Sequence, residues 1–253
     1  MNPKGELTSQ LSATGVRSIT FGHPAHNSFP SNQLTALVAA ISAAGNDEDT
    51  RCILLRSMGN GTFCAGANLD ELLELKDAET AKEFFMGFGR LILAMRDCPK
   101  PIVVAVQGKA IGGGVGIAAA ADYCLATTSA SVKLSELSIA IGPFVILPAL
   151  RRKLGLAATG ELCLDTEWHS AEWAHAHGLY QRLYTTQTEL DAAAAALTGK
   201  LAKHSLEAAK ALKSALWEGT RGWPYLIEER AETSGRLVLT EPARAALAKF
   251  KKK

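Results

Sequence analysis

The sequence predicts an α/β core followed by a helical C-terminal region. Three observations carry this. Short apolar runs, CILLRS at 52–57 and PIVVAVQG at 101–108 among them, alternate with amphipathic segments through about residue 145. That alternation is the pattern of a parallel sheet covered by helices on both faces. Two of these runs end in glycine turns that open helices, at GTFCAGANLDEL and at KAIGGGVGIAAAA. Beyond residue 145 strand signals nearly vanish and helical spacing takes over.

Each element follows in order. VRSITF at 16–21 reads as a strand. Ser31 is placed to cap a helix over 32–44, in which Leu34, Leu37, Val38 and Ile41 share one face. CILLRS is a buried strand, the polar loop MGNGTFCAG follows, and a short helix begins near Asn68. From Glu79 to Arg96, Ala81, Phe84, Phe85, Phe88, Leu91 and Ile92 recur at helical spacing. PIVVAVQG is a second buried strand, the glycine and alanine run starts a helix, and YCLAT at 123–127 is the next strand. Helices are expected at 145–153, 157–163, 170–177, 187–203, 205–218, 224–238 and 241–250. The chain divides into an α/β core over 1–195 and a helical packing and oligomerisation region over 196–253.

Bulk composition narrows the partners. The 253 residues are 47% hydrophobic and 21% charged, with a net charge of +2. This is ordinary globular composition, and bulk charge gives no reason to expect nucleic acid or a membrane surface. Cys52, Cys64, Cys98, Cys124 and Cys163 form no CxxC pair. They read as reduced core residues of a cytoplasmic protein. The opening MNPKGELTSQ shows no apolar signal region, and no run of 18 apolar residues occurs. The histidines show no metal-ligand spacing with Cys or Asp, and no GxSxG elbow is present.

The two glycine turns are the chemistry-bearing features. Helix starts leave backbone N–H groups unpaired, and the helix dipole there favours negative charge. Two such donors aimed at one point hold an oxygen that gains charge during a reaction. Gly114-Val115-Gly116-Ile117-Ala118-Ala119 also fits the dinucleotide pattern G-x-G-x-x-A. That reading fails on context, because no acidic residue closes the YCLATT strand to hold a ribose.

Four segments together resemble the crotonase superfamily of enoyl-CoA hydratases and isomerases. They are FCAGANLDEL, QGKAIGGGVGIAAAADYCLAT, LSELSIAIGPF and SAEWAHAHGLYQRLY, in the family's order and spacing. The resemblance implies a crotonase-like ββα spiral core acting on an acyl-CoA thioester. The backbone N–H groups of Ala67 and Gly113 would hold the thioester oxygen. Glu136 would be the acid/base, and its neighbours Leu134, Leu137 and Ile139 would raise its pKa. Ala65, Gly66, Asn68, Leu69, Asp70, Gly112, Gly114 and Gly116 would line the substrate site, with Phe250 and Lys251 to Lys253 near the CoA nucleotide. His23 and His26 fall near the same CoA region, and the remaining histidines read as fillers.

The sequence departs from the family pattern in informative places. Gly116 stands where hydratases carry a second glutamate, Asn68 replaces an Asp, and Asp70 replaces a basic residue. Asp70 and Glu71 remain candidates for a second acid. One carboxylate suffices to move a proton from C2 to C4, so the resemblance favours Δ3-Δ2-enoyl-CoA isomerisation. Hydration of a 2-enoyl-CoA is the alternative within the family, and a non-catalytic CoA-binding or scaffold protein is the alternative outside it. No cofactor beyond the CoA of the substrate is implied, and the family's assembly is a homotrimer or a pair of trimers.

Overall fold

The computed structural model describes residues 5–249. Its strands are β1 (Glu6–Leu11), β2 (Val16–Gly22), β3 (Cys52–Ser57), β4 (Ile102–Val106), β5 (Ala110–Ile111), β6 (Tyr123–Thr127), β7 (Val132–Lys133) and β8 (Arg182–Tyr184). The first helices are α1 (Ser31–Asn46), α2 (Leu69–Glu74), α3 (Ala78–Asp97), α4 (Gly113–Ala120) and α5 (Leu147–Leu164). The chain continues with α6 (Ala171–Ala176), α7 (Gln187–Leu201), α8 (Leu206–Leu216), α9 (Trp223–Val238) and α10 (Glu241–Ala248).

The main sheet has the order β1-β2-β3-β4-β6-β8. β1 is antiparallel to β2, and every later pair is parallel, with Val16 opposite Cys52, Ile53 opposite Ile102 and Val103 opposite Tyr123. The apolar runs follow from cover on both faces. Ile53, Leu55, Ile102 and Val104 join the main core with α1, α3 and α4. Their neighbours Cys52, Leu54, Val103 and Ala105 pack instead with Leu190 and Ala194 of α7. A strand buried on both sides has no polar face to show, so its sequence does not alternate.

Several boundaries differ from the sequence reading. β1 is a polar edge strand whose last four residues are exposed, and β8 has only three residues. Neither is long or apolar enough to announce itself. Pro30, not Ser31, holds the cap position of α1. Ser31 is free to use its N–H and hydroxyl on the Glu71 carboxylate. By contrast, the two helices expected at 145–153 and 157–163 do form, as the halves of α5 on either side of Gly155, where φ is 75°. α7 forms close to its expected span of 187–203.

The C-terminal helices are tied to the core by specific contacts. α9 lies so close to α3 that a Cβ at Gly235 would stand 2.8 Å from the Lys82 backbone nitrogen. Lys213 of α8 pairs with Asp122 at 2.7 Å and donates to the carbonyls of Met95 and Lys100. Asp122 also accepts from the indole of Trp217 and the N–H of Ile102. Among the described residues no helix is long and apolar enough to cross a membrane.

Candidate active site

Two loops at the carboxyl ends of β3 and β4 meet at the site. Asn27 pins the first by donating from Nδ2 to the carbonyls of Met58 and Thr62, at 3.0 and 2.8 Å. The Phe29 N–H donates to Gly66 O, and the Asn68 N–H donates to Phe29 O. The carbonyl of His26 accepts from the Ala65 N–H. These bonds hold Ala67 between fixed neighbours. The second loop is held alongside: Ile111 N–H donates to Cys64 O, and Gly112 N–H donates to Lys133 O. The lone thiol in the first loop, Cys64, is buried and pushed up to about 12, so it is no nucleophile.

The glycine run is dictated by three different neighbours. Gly112 has φ 53° and ψ −118°, a region open in practice to glycine alone. A Cβ there would also stand 2.7 Å from Glu136 Oε1. At Gly113 it would overlap the Phe88 ring at 2.2 Å, and at Gly114 it would crowd Cys64 O at 2.7 Å. Gly66 faces this run with φ +87°, and a Cβ on it would lie 3.1 Å from Ile111 O and 3.6 Å from Gly113 N. The CAGA and GGG segments are therefore in direct contact. Among the described residues, neither the Ala67 N–H nor the Gly113 N–H has a hydrogen-bond partner. Gly113 opens α4, a helix buried along its whole length, so its free N–H lies at the positive end of the helix dipole.

Glu136 begins a short 3-10 turn, Glu136–Ile139, after β7. Ala140 ends that turn in the left-handed conformation with φ 57°. The residue as a whole is half-buried, but its Oε2 is sealed from solvent and has no partner among the described residues. Burial penalises the charged form and raises the carboxyl to about 7. Such a group can both take and return a proton near neutral pH.

A cavity of about 260 Å³ joins these parts. Ala65, Gly66, Ala67, Leu69, Gly112, Gly113 and Glu136 line it. The lining does not include Asn68, Asp70, Gly114 or Gly116. Asn68 caps α2, its side chain accepting from the Glu71 N–H. Asp70 is exposed, Glu71 is engaged by Ser31, and neither is on the cavity lining. His23 is buried behind the loop, accepting from the Ala25 N–H, and His26 contributes only its carbonyl. Phe250 and Lys251 to Lys253 lie outside the described residues.

Gly116 lies on the buried helix α4, against the segment that leads into α5. It is buried, and a Cβ on it would stand 2.6 Å from Ile146 Cγ2 and 3.0 Å from Ile146 Cβ. The place beside α4 where another side chain would project is filled by Ile146 from the segment leading into α5. Among the described residues, Glu136 is the sole titratable side chain on the cavity lining. Sequence reasoning missed the rest of the wall. Phe84, Phe85 and Phe88 of α3 read only as an apolar face, and Phe144 in the LSELSIAIGPF segment and Val145 and Ile146 in an expected helix were given no place in the site. Ser234 and Leu247 reach the cavity from α9 and α10.

A model of the enoyl-CoA hydratase/isomerase family matches residues 12–238. The chain belongs to that family, and its fold is the crotonase-like α/β core with a helical C-terminal region. An enoyl-CoA hydratase structure from Mycobacterium avium aligns with TM-score 0.84 at 25% identity, covering all of this chain (100%) and 97% of that one. The mitochondrial methylglutaconyl-CoA hydratase of Rattus norvegicus is 33% identical over 168 residues, covering 66% of this chain and 53% of that protein. The chain thus spans about half the length of that relative. The trans-2-decenoyl-[acyl-carrier-protein] isomerase of Streptococcus mutans is 24% identical over 232 residues, covering 89% of this chain and 88% of that protein.

Proposed function

We propose that this protein is an enoyl-CoA isomerase that shifts a double bond from C3–C4 to C2–C3 of an acyl-CoA thioester. The thioester oxygen lies between the N–H groups of Ala67 and Gly113. Glu136, as carboxylate, takes a proton from C2, and the electron pair moves onto the thioester oxygen to give a dienolate. The two N–H donors stabilise that oxyanion in a water-poor cavity, where they count for most. Glu136 then returns the proton to C4, the negative charge leaves the oxygen, and the conjugated 2-enoyl thioester is released. No cofactor takes part; the CoA belongs to the substrate.

One observation carries the choice of isomerisation: Ile146 occupies the space in front of Gly116, so Glu136 works without a second acid. Adding water calls for one group to activate the water and another to handle the α-proton, whereas a double-bond shift needs one group twice. The isomerase name of the Streptococcus mutans relative fits this reading. Hydration is the second reading, favoured by the name of the rat relative. The protein incubated with a 3-enoyl-CoA should generate conjugated-enoyl absorbance, and with crotonyl-CoA should leave it intact. The opposite pattern supports the hydratase; no change with either, across several chain lengths, sinks both.

Assembly into trimers or pairs of trimers is part of the same proposal. Leu212 and Leu216 on α8 are 61% and 58% exposed, which suits a face covered by another copy. Light scattering in solution reports the mass directly, and a monomer at micromolar concentration contradicts the assembly.

A further inference from the structure

The cavity lining includes a buried hydroxyl, apart from Glu136 and its neighbour Ser135, for which the proton transfer has no use. Ser234 on α9 is 1% exposed and lines the cavity beside Phe84, Phe85 and Leu247. Among the described residues its Oγ has no hydrogen-bond partner. A helical serine ordinarily returns its hydroxyl to a carbonyl one turn back. Thr233 beside it does this, donating to Glu229 O at 3.1 Å, and Ser234 does not. A buried hydroxyl left unpaired is destabilising and calls for an explanation.

Its place in the cavity follows from helix packing. Gly235 sets α9 against Ala81 and Lys82 of α3. Phe88, against which Gly113 lies, is two turns further along the same helix. At 1.5 Å rise per residue, the level of Ala81, against which Gly235 lies, is roughly 10 Å along α3 from the level of Phe88. The wall between is apolar, with Phe84, Phe85, Phe88 and Val145 on it. No cationic side chain lines the cavity among the described residues, and the one charged group there is Glu136. A carboxylate at the far end would be desolvated with one hydroxyl for company, and it would raise Glu136 further. An uncharged oxygen meets neither obstacle.

We propose that Ser234 is a specificity-determining residue whose hydroxyl donates to an uncharged oxygen, a hydroxyl or a ketone, on the acyl chain distant from the thioester. This rests on the acyl-thioester reading above. It implies that the reaction supplying the substrate leaves a neutral oxygen function on the far part of the chain.

The test is calorimetric binding of saturated CoA thioesters to the full-length protein and to S234A. One thioester carries a plain medium-length chain, and the others carry a single hydroxyl or keto group moved stepwise along it. The wild-type protein should bind one oxygenated chain about tenfold or more tighter than the plain one. S234A should bind both alike, and should melt at or above the wild-type temperature because the unpaired hydroxyl is gone. Equal wild-type affinity across the set, or a preference that S234A retains, overturns the role of Ser234 and leaves the acyl-thioester reading standing. Failure of the wild-type protein to bind any of the thioesters overturns both.

Discussion

Replacing Glu136 with glutamine keeps the shape of the side chain and removes its titration. Burial moves the folded carboxyl from the ordinary 4.5 up to about 7. Because the folded value lies above the unfolded one, the stability tied to this group is fully present below pH 4.5. It is lost as pH rises through about 7. Each pKa unit corresponds to 1.36 kcal/mol, so the loss by pH 8 is about 3 kcal/mol. Urea unfolding of the wild-type protein and E136Q at several pH values between 4 and 8 isolates it, since every other titrating group is shared. E136Q should gain on the wild-type protein by about 3 kcal/mol across that range, with most of the change between pH 5 and 7. A stability difference that stays flat with pH would refute the reasoning, and one that shrinks toward pH 8 would reverse its sign.

Other substitutions probe the remaining contacts. Gly66→Ala puts a methyl group beside the Gly113 N–H at a left-handed backbone position, and should lower kcat by roughly 10²–10³ while circular dichroism shows a folded protein. A rate within a factor of three of wild type contradicts the clamp. Gly116→Ala should destabilise by roughly 1–3 kcal/mol through its clash with Ile146. Adding Ile146→Ala should recover part of that loss in a double-mutant cycle, and strict additivity would show that the two side chains do not meet. Asp122→Ala strands the buried Lys213 ammonium and should cost roughly 3–5 kcal/mol in denaturant unfolding.

What was readable in the sequence was local. CILLRS, PIVVAVQG and the glycine-opened helix have compositions that only a doubly covered strand or a buried helix start explains, and each formed as expected. Ala67 in the loop after β3, Gly113 at the start of α4 and Glu136 just after β7 all line one cavity. What could not be read depends on contacts between distant segments. Nothing near Gly116 shows that Ile146 fills the space before it, and nothing in TSGR shows that Ser234 opens onto the cavity. Glu71 looked available as an acid until its pairing with Ser31 was seen. β8 escaped notice because three residues, Arg182 to Tyr184, are too few to show a period.

The central claim is that one buried carboxylate moves the proton. It is tested most directly by the pH dependence of kcat/KM for a 3-enoyl-CoA, followed by conjugated-enoyl absorbance, for the wild-type protein and E136Q. The wild-type rate should rise with pH through about 7 as Glu136 ionises to act as base. E136Q should be slower by roughly 10²-fold or more and lose that rise. Turnover in E136Q at the wild-type rate, or a wild-type profile without a step near 7, would contradict it.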